Sequence, residues 1–155
     1  ATPALGAETL RGLIAQLQRF QGRAGPLDAE PGLTALGLTP ALLDRPAGSL
    51  STGETLRAAL ALLLSGDPYV LLLDEPTGAL DPGATTLVEK AVEEKARNGT
   101  AVLWVTHDPE QAARVGDVLY HLEGATLRGP ERHPDRFGAI MNRLETHGQG
   151  ARHAG

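Results

Sequence analysis

Two short runs constrain this chain more than anything else in it. Tyr69-Val-Leu-Leu-Leu73 is apolar without interruption and ends in two acids, Asp74 and Glu75. Ala101-Val-Leu-Trp-Val105 is apolar in the same way and ends in Thr106-His107-Asp108. A strand with one wet face alternates apolar and polar residues, whereas an uninterrupted apolar strand belongs in a parallel sheet covered on both faces. Parallel strands need a crossover between them. A helical pattern fills that gap: Asp81-Pro82 opens it, Leu87, Val88, Ala91 and Val92 form its stripe, and Asn98-Gly99 closes it. The fold class is therefore α/β, a helical region followed by a mostly parallel sheet.

The remaining elements fit around that unit. Leu10, Leu13, Ile14 and Leu17 have helical spacing within Thr9 to Phe20. Gln21 to Pro31, rich in Gly, Pro and charge, reads as a loop. Leu33 to Leu38 is a weak helix closed near Gly37, and Thr39-Pro40 reads as a cap followed by proline at the first position of a short helix to Asp44. Arg45 to Leu50 connects to a long helix over Ser51 to Leu64, where Ser51 and Glu54 form a capping box. Asp108-Pro109 opens a helix through Arg114, and Val118 to Leu122 with Ala125 to Arg128 form a hairpin around Glu123-Gly124. A short helix is expected over Phe137 to Leu144.

Composition narrows the function classes. A net charge of -5 argues against a nucleic-acid binder, which needs clustered Lys and Arg. The absence of cysteine excludes disulfides and thiolate metal sites. The longest apolar run, Ala58 to Leu64, falls far short of the roughly 20 residues that span a bilayer. No basic segment precedes an apolar stretch at the start, so no signal peptide is expected. His133, His147 and His153 are too scattered for a metal site.

Several short segments can carry chemistry. Asp74 and Glu75 lie at the carboxyl end of a strand, where open α/β sheets bind ligands. One such carboxylate can hold Mg²⁺ beside phosphates, and its neighbour can orient or deprotonate a water. Leu50-Ser-Thr-Gly-Glu54 starts a helix with a hydroxyl and unpaired N–H groups, which is an anion site or simply a capping box. Gly78-Ala-Leu-Asp81 follows the acids and ends in a helix cap. His107 follows the second apolar strand, on the sheet edge expected for Asp74 and Glu75, where it could be structural or could hydrogen-bond a phosphate.

In this order the segments resemble the ABC ATPase family. Leu50 to Glu54 resembles its signature, usually LSGGQ, and Arg57 the basic residue that follows it. Tyr69 to Glu75 resembles the Walker B strand with its catalytic glutamate, Gly78 to Asp81 the D-loop, usually SALD, and His107 the switch histidine. The resemblance covers about residues 1–128. It implies a helical subdomain with the signature over 1–65, the second half of a P-loop (RecA-like) core over 66–128, and a tail over 129–155. Ala1 to Leu5 and Thr9-Leu10 resemble the segment just after the Q-loop glutamine, so the sequence is expected to begin at that loop. The strand Ala101 to Asp108 is similar to that of iron-export ATPases of the FetA type.

The resemblance implies ATP and Mg²⁺ as cofactors and a head-to-tail dimer with a second ATPase subunit. Asp74 would hold Mg²⁺, directly or through water, and Glu75 would activate water. His107 would sense the γ-phosphate. Ser51, Thr52, Gly53 and Glu54 would meet the partner's ATP, while Ala79, Leu80 and Asp81 would report across the dimer. Permease subunits would hold the protein on the cytoplasmic face of the membrane, and the work would be ATP-driven transport. A Walker A loop reads GxxxxGK[ST], yet the only lysines are Lys90 and Lys95, neither preceded by glycine. The chain is thus expected to be truncated and inactive alone. Thr52 replaces the first signature glycine, which would crowd phosphate or demand another φ/ψ. Leu62 stands where many members have Arg, and Glu54 replaces Gln. The alternatives are a remnant that only offers its signature to a partner, and an ABC ATPase outside transport.

Overall fold

The computed structural model describes residues 8–20, 28–66 and 68–133. The Ala1 to Leu5 segment, the Phe137 to Leu144 helix, His147 and His153 lie outside them. The chain divides into two compact units, Ala1–Val105 and Thr106–Gly155.

The first unit opens with helix α1 (Leu10–Phe20), which buries Leu10 and Ile14. Helix α2 (Glu30–Ala35) starts three residues before the expected Leu33, because Pro31 sits in its first turn, where the missing N–H costs nothing. Gly37 closes it at φ 68°, a left-handed conformation open to glycine, and a Cβ there would stand 2.9 Å from Leu87 Cδ1. The short helix at Pro40–Asp44 is a 3-10 turn, and Thr39 is extended but makes no side-chain cap bond, contrary to expectation. The chain order Thr39-Pro40 sets the backbone without the hydroxyl contributing. Helix α3 (Thr52–Ser65) carries the full capping box and buries Ala58, Leu60, Ala61 and Leu64.

Strand β1 (Val70–Asp74) and strand β2 (Ala101–Val105) pair in parallel, with Leu72 opposite Leu103 and Asp74 opposite Val105. Helix α4 (Pro82–Arg97) crosses between them. Asp81 caps it by accepting from the N–H groups of Gly83 and Ala84, both at 3.0 Å. Leu71 and Leu73 join Leu33, Leu36, Val88 and Val92 in one core. Uninterrupted apolar strands suit a sheet covered on both faces, but exposed apolar surface is expected where neighbouring strands are lacking, and that is what is found. Only one face packs on the helices, and Val70 (66%), Leu72 (69%) and Leu103 (57%) remain exposed on the other. Two strands with a single layer of helices offer nothing to cover the second face.

That face is a contiguous apolar patch of the kind that drives association. The purified chain is expected to self-associate, with Leu72→Lys plus Leu103→Lys shifting it toward monomer in sedimentation velocity. A wild-type chain that sediments as a monomer at all concentrations would contradict this.

The second unit holds helix α5 (Pro109–Val115), capped by Asp108 through the N–H groups of Glu110 and Gln111, and an antiparallel hairpin. Its strands are β3 (Val118–Glu123) and β4 (Thr126–Arg132). The second strand was expected to end at Arg128, before Gly129-Pro130. Instead the register shifts there, Leu119 pairing with Glu131 and His121 with Arg128, and the strand continues. A bulge absorbs the proline, and Gly129 takes φ 123°, with Leu119 O only 2.8 Å from where a Cβ would be.

Candidate functional site

Three of the expected segments meet within the first unit. Asp74 is the last residue of β1 and is exposed there. Glu75 follows, and its N–H still donates to Val105 O at 3.0 Å, extending the ladder by one bond. Its φ is then 48°, the only positive value at a non-glycine among the described residues. Such a conformation costs about 1 to 3 kcal/mol and gathers at functional sites. It turns the chain sharply at the strand end. Gly78 N–H folds back to Glu75 O at 3.1 Å, and Leu80 N–H to Thr77 O at 3.0 Å. Pro76 and Thr77 are buried beneath this turn, while Gly78, Ala79 and Asp81 are exposed.

The turn delivers Leu80 onto the start of α3. Leu80 Cδ2 lies 3.5 Å from where a Cβ on Gly53 would stand. The residues after the paired acids therefore pack on Leu50 to Glu54. Arg57 adds a second link. Its Nε donates to Gly53 O at 3.3 Å and its Nη1 to Leu36 O at 3.0 Å, tying the first turn of α3 to the end of α2.

The helix start is closed by its own side chains. Ser51 Oγ accepts the Glu54 N–H at 3.2 Å, and Glu54 Oε2 accepts the Ser51 N–H at 2.8 Å. Arg45 Nη1 donates to Glu54 Oε1 at 3.1 Å, and Arg45 Nη2 to Ser49 O at 2.8 Å. The amides of Thr52 and Gly53, the first two of the helix, have no acceptor within it. Thr52 has an ordinary helical backbone, so the altered φ/ψ expected from its Cβ is absent. Leu62 packs, partly buried, against the core rather than presenting an open surface.

Two of these carboxylates are held ionised. The Ser51 N–H, then its hydroxyl, with the nearby Arg45 charge adding, lower the Glu54 carboxyl below 4.5. The Ala84 N–H, then that of Gly83, with Arg57 adding, lower Asp81 below 3.8. A folded-state value below the unfolded one stabilises the fold above that unfolded value, and the gain is lost as pH falls through the folded value. Thermal melts are thus expected to weaken as pH drops below 4.5 and 3.8. The double variant Glu54→Gln, Asp81→Asn should flatten that acid limb. An unchanged limb would contradict the assignment.

His107 is the second residue of the second unit, exposed in the bend before α5. The described residues contain no cluster of three His, Cys, Asp or Glu side chains able to hold a metal. A magnesium beside phosphates needs only one or two carboxylates, and Asp74, exposed at a strand end, fits that lighter demand. Sequence reasoning missed Arg45 altogether. It lies nine positions before Glu54 in an irregular connector, where no helical or strand period could signal the pair.

A family described as "AAA domain, putative AbiEii toxin, Type IV TA system" matches residues 40–111. The chain is 50% identical over 82 residues to the "Probable anion import ATP-binding protein" of Haloferax volcanii, a match covering 53% of this chain and 28% of that protein. It is 44% identical over 97 residues to the lipoprotein-releasing system ATP-binding protein LolD of Maricaulis maris, covering 62% and 42%. Its fold matches the "Dimeric Structure of MJ0796, a Bacterial ABC Transporter Cassette" with a TM-score of 0.70 at 24% identity, over 83% of this chain and 58% of that one. The chain is similar in sequence to ATP-binding proteins of transport systems and in fold to an ABC transporter cassette. Its matched part spans between 28% and 42% of the length of these two curated relatives. The α/β architecture expected from the two apolar strands matches that of an ABC cassette, and the segments that resemble the signature, Walker B strand and D-loop lie in the first unit. No helix among the described residues is long and apolar enough to cross a membrane.

Proposed function

We propose that this chain is part of an ABC ATPase and supplies one wall of an ATP site whose hydrolysis drives transport. The observation that carries the reading is the packing of Leu80 on Gly53 directly after the left-handed Glu75, which gathers acids, D-loop and signature into one unit. Glu75 is the general base that takes a proton from the attacking water, a role its strained backbone at the strand end suits. Asp74 holds Mg²⁺, directly or through water, and the bound ion supplies charge neutralisation for the phosphates. His107 donates a hydrogen bond to the γ-phosphate.

Ser51, Thr52, Gly53 and Glu54 face ATP bound by a second ABC subunit in a head-to-tail dimer. The unpaired amides of Thr52 and Gly53 are the donors such an anion needs. Ala79, Leu80 and Asp81 couple that contact to Glu75 through the short turn. Transmembrane permease subunits select the substrate and hold the protein at the cytoplasmic face of the membrane. The single-strand likeness to the FetA type supports no choice of substrate. Hydrolysis requires the lysine loop that these 155 residues do not contain.

The test is ATP-dependent association. A cassette with an intact lysine loop and a disabled catalytic glutamate, mixed with this chain, should bind it in the presence of Mg-ATP and release it with ADP. Association indifferent to nucleotide would overturn the reading.

A further inference from the structure

The signature of this chain carries a carboxylate, and a carboxylate beside an incoming phosphate is repulsive. Glu54 is the third residue of α3, one position beyond the amide of Gly53. Both of its oxygens are engaged: Oε2 by the Ser51 N–H at 2.8 Å and Oε1 by Arg45 Nη1 at 3.1 Å. Arg45 is itself fixed, its Nη2 bound to Ser49 O at 2.8 Å in the same connector. The guanidinium thus bridges the segment before the signature and the acid within it.

We propose that Arg45 is a positioning residue for the phosphate-facing turn, cancelling the charge of Glu54 and holding it in the capping box so that the amides of Thr52 and Gly53 can receive an anion. The proposal rests on the reading of residues 51–54 as facing ATP. Opposite charges in hydrogen-bond contact partly cancel toward a third charge nearby, while a lone carboxylate repels an anion in full. A charge-assisted contact also restrains the Glu54 side chain, and with it the Ser51 N–H, more firmly than a neutral one. The pair is partly exposed, with side chains 44% and 25% accessible, so its effect is moderate rather than decisive.

The test is Mg-ATP-dependent association of the full 155-residue chain with a lysine-loop cassette whose catalytic glutamate is disabled, with the amide shifts of Thr52 and Gly53 followed by NMR in the same mixture. The partner cassette holds the nucleotide, and the shifts of this chain read its residues 51–54. Arg45→Met is expected to weaken binding about two- to fivefold, the range an exposed ion pair supports. Glu54→Gln in the Arg45→Met background should restore it, because the charge that needed cancelling is gone. Arg45→Lys should lie between. If Arg45 served only to brace the connector through Ser49, Glu54→Gln would rescue nothing, and that outcome overturns the proposal. Equal affinity in wild type and Arg45→Met overturns it as well. If ATP moves neither amide in any of the proteins, the phosphate-facing reading of residues 51–54 fails, and the role of Arg45 falls with it.

Discussion

Glu75→Gln, placed in an ABC cassette that contains these residues and a lysine loop, is expected to lower ATP turnover by about 10²- to 10⁴-fold, the contribution of a positioned general base. The amide has nearly the same shape as the carboxylate but cannot accept the proton of the attacking water. ATP affinity should change little, because the base acts on water rather than on the nucleotide. The backbone should also be unaffected, since the N–H of residue 75 bonds to Val105 O whichever side chain is present. Steady-state ATPase rates with nucleotide binding on the same preparations check both halves of the statement. A variant that keeps wild-type turnover would remove Glu75 from the chemistry. It would leave its left-handed φ of 48° as a feature of the turn alone.

The second large effect concerns stability. Leu33→Ala is expected to destabilise the chain by about 2 to 5 kcal/mol, the range for truncating a fully buried leucine. Leu33 has no exposed surface, sits on α2 and belongs to the core that also contains Leu71 and Leu73 of β1. Helix α2 has six residues and could not hold itself together without that anchor. Its loss should also loosen Leu36, whose carbonyl receives Arg57, and so reach the start of α3. Urea unfolding followed by circular dichroism measures the effect. A midpoint within experimental error of wild type would mean that α2 is not part of the cooperative core. Leu63→Ala provides the contrast: that side chain is 53% exposed and its removal should cost little.

Much of this architecture was legible because its signals are local. Ser51 with Glu54, Asp81 before Pro82, and Asp108 before Pro109 each name a helix start through one side chain that accepts one or two N–H groups two or three residues on. The parallel pair was legible from two apolar runs separated by a helical stripe. What was not legible depended on distant partners. Apolar residues on both faces of β1 said that both faces could be buried, but only neighbouring layers decide whether they are, and Val70 and Leu72 stay exposed. The second hairpin strand was expected to end at Arg128, yet a bulge carries it past Gly129-Pro130 to Arg132. Thr39 had the chemistry of a cap without the geometry.

The candidate site divides in the same way. Asp74, Glu75, Ser51, Gly53 and Asp81 could be chosen from type and order, because strand ends and helix starts recur with the chemistry they serve. The left-handed turn at Glu75, the contact of Leu80 with the signature and the clasp of Arg45 on Glu54 are products of the chain path. They bring the segments together within the first unit. The turns after Glu75 carry Leu80 to the helix that Ser51 opens.

The placement of residues 51–54 against nucleotide is tested most directly by a crystal structure of a cassette containing these residues, carrying Glu75→Gln to stall hydrolysis and grown with Mg-ATP. The γ-phosphate bound by the partner subunit is expected within about 2.7–3.2 Å of Ser51 Oγ or the Gly53 N–H. The Asp74 carboxylate is expected on the side of the magnesium in its own subunit. A nucleotide whose phosphates touch none of residues 51–54, in a dimer or outside one, would contradict it.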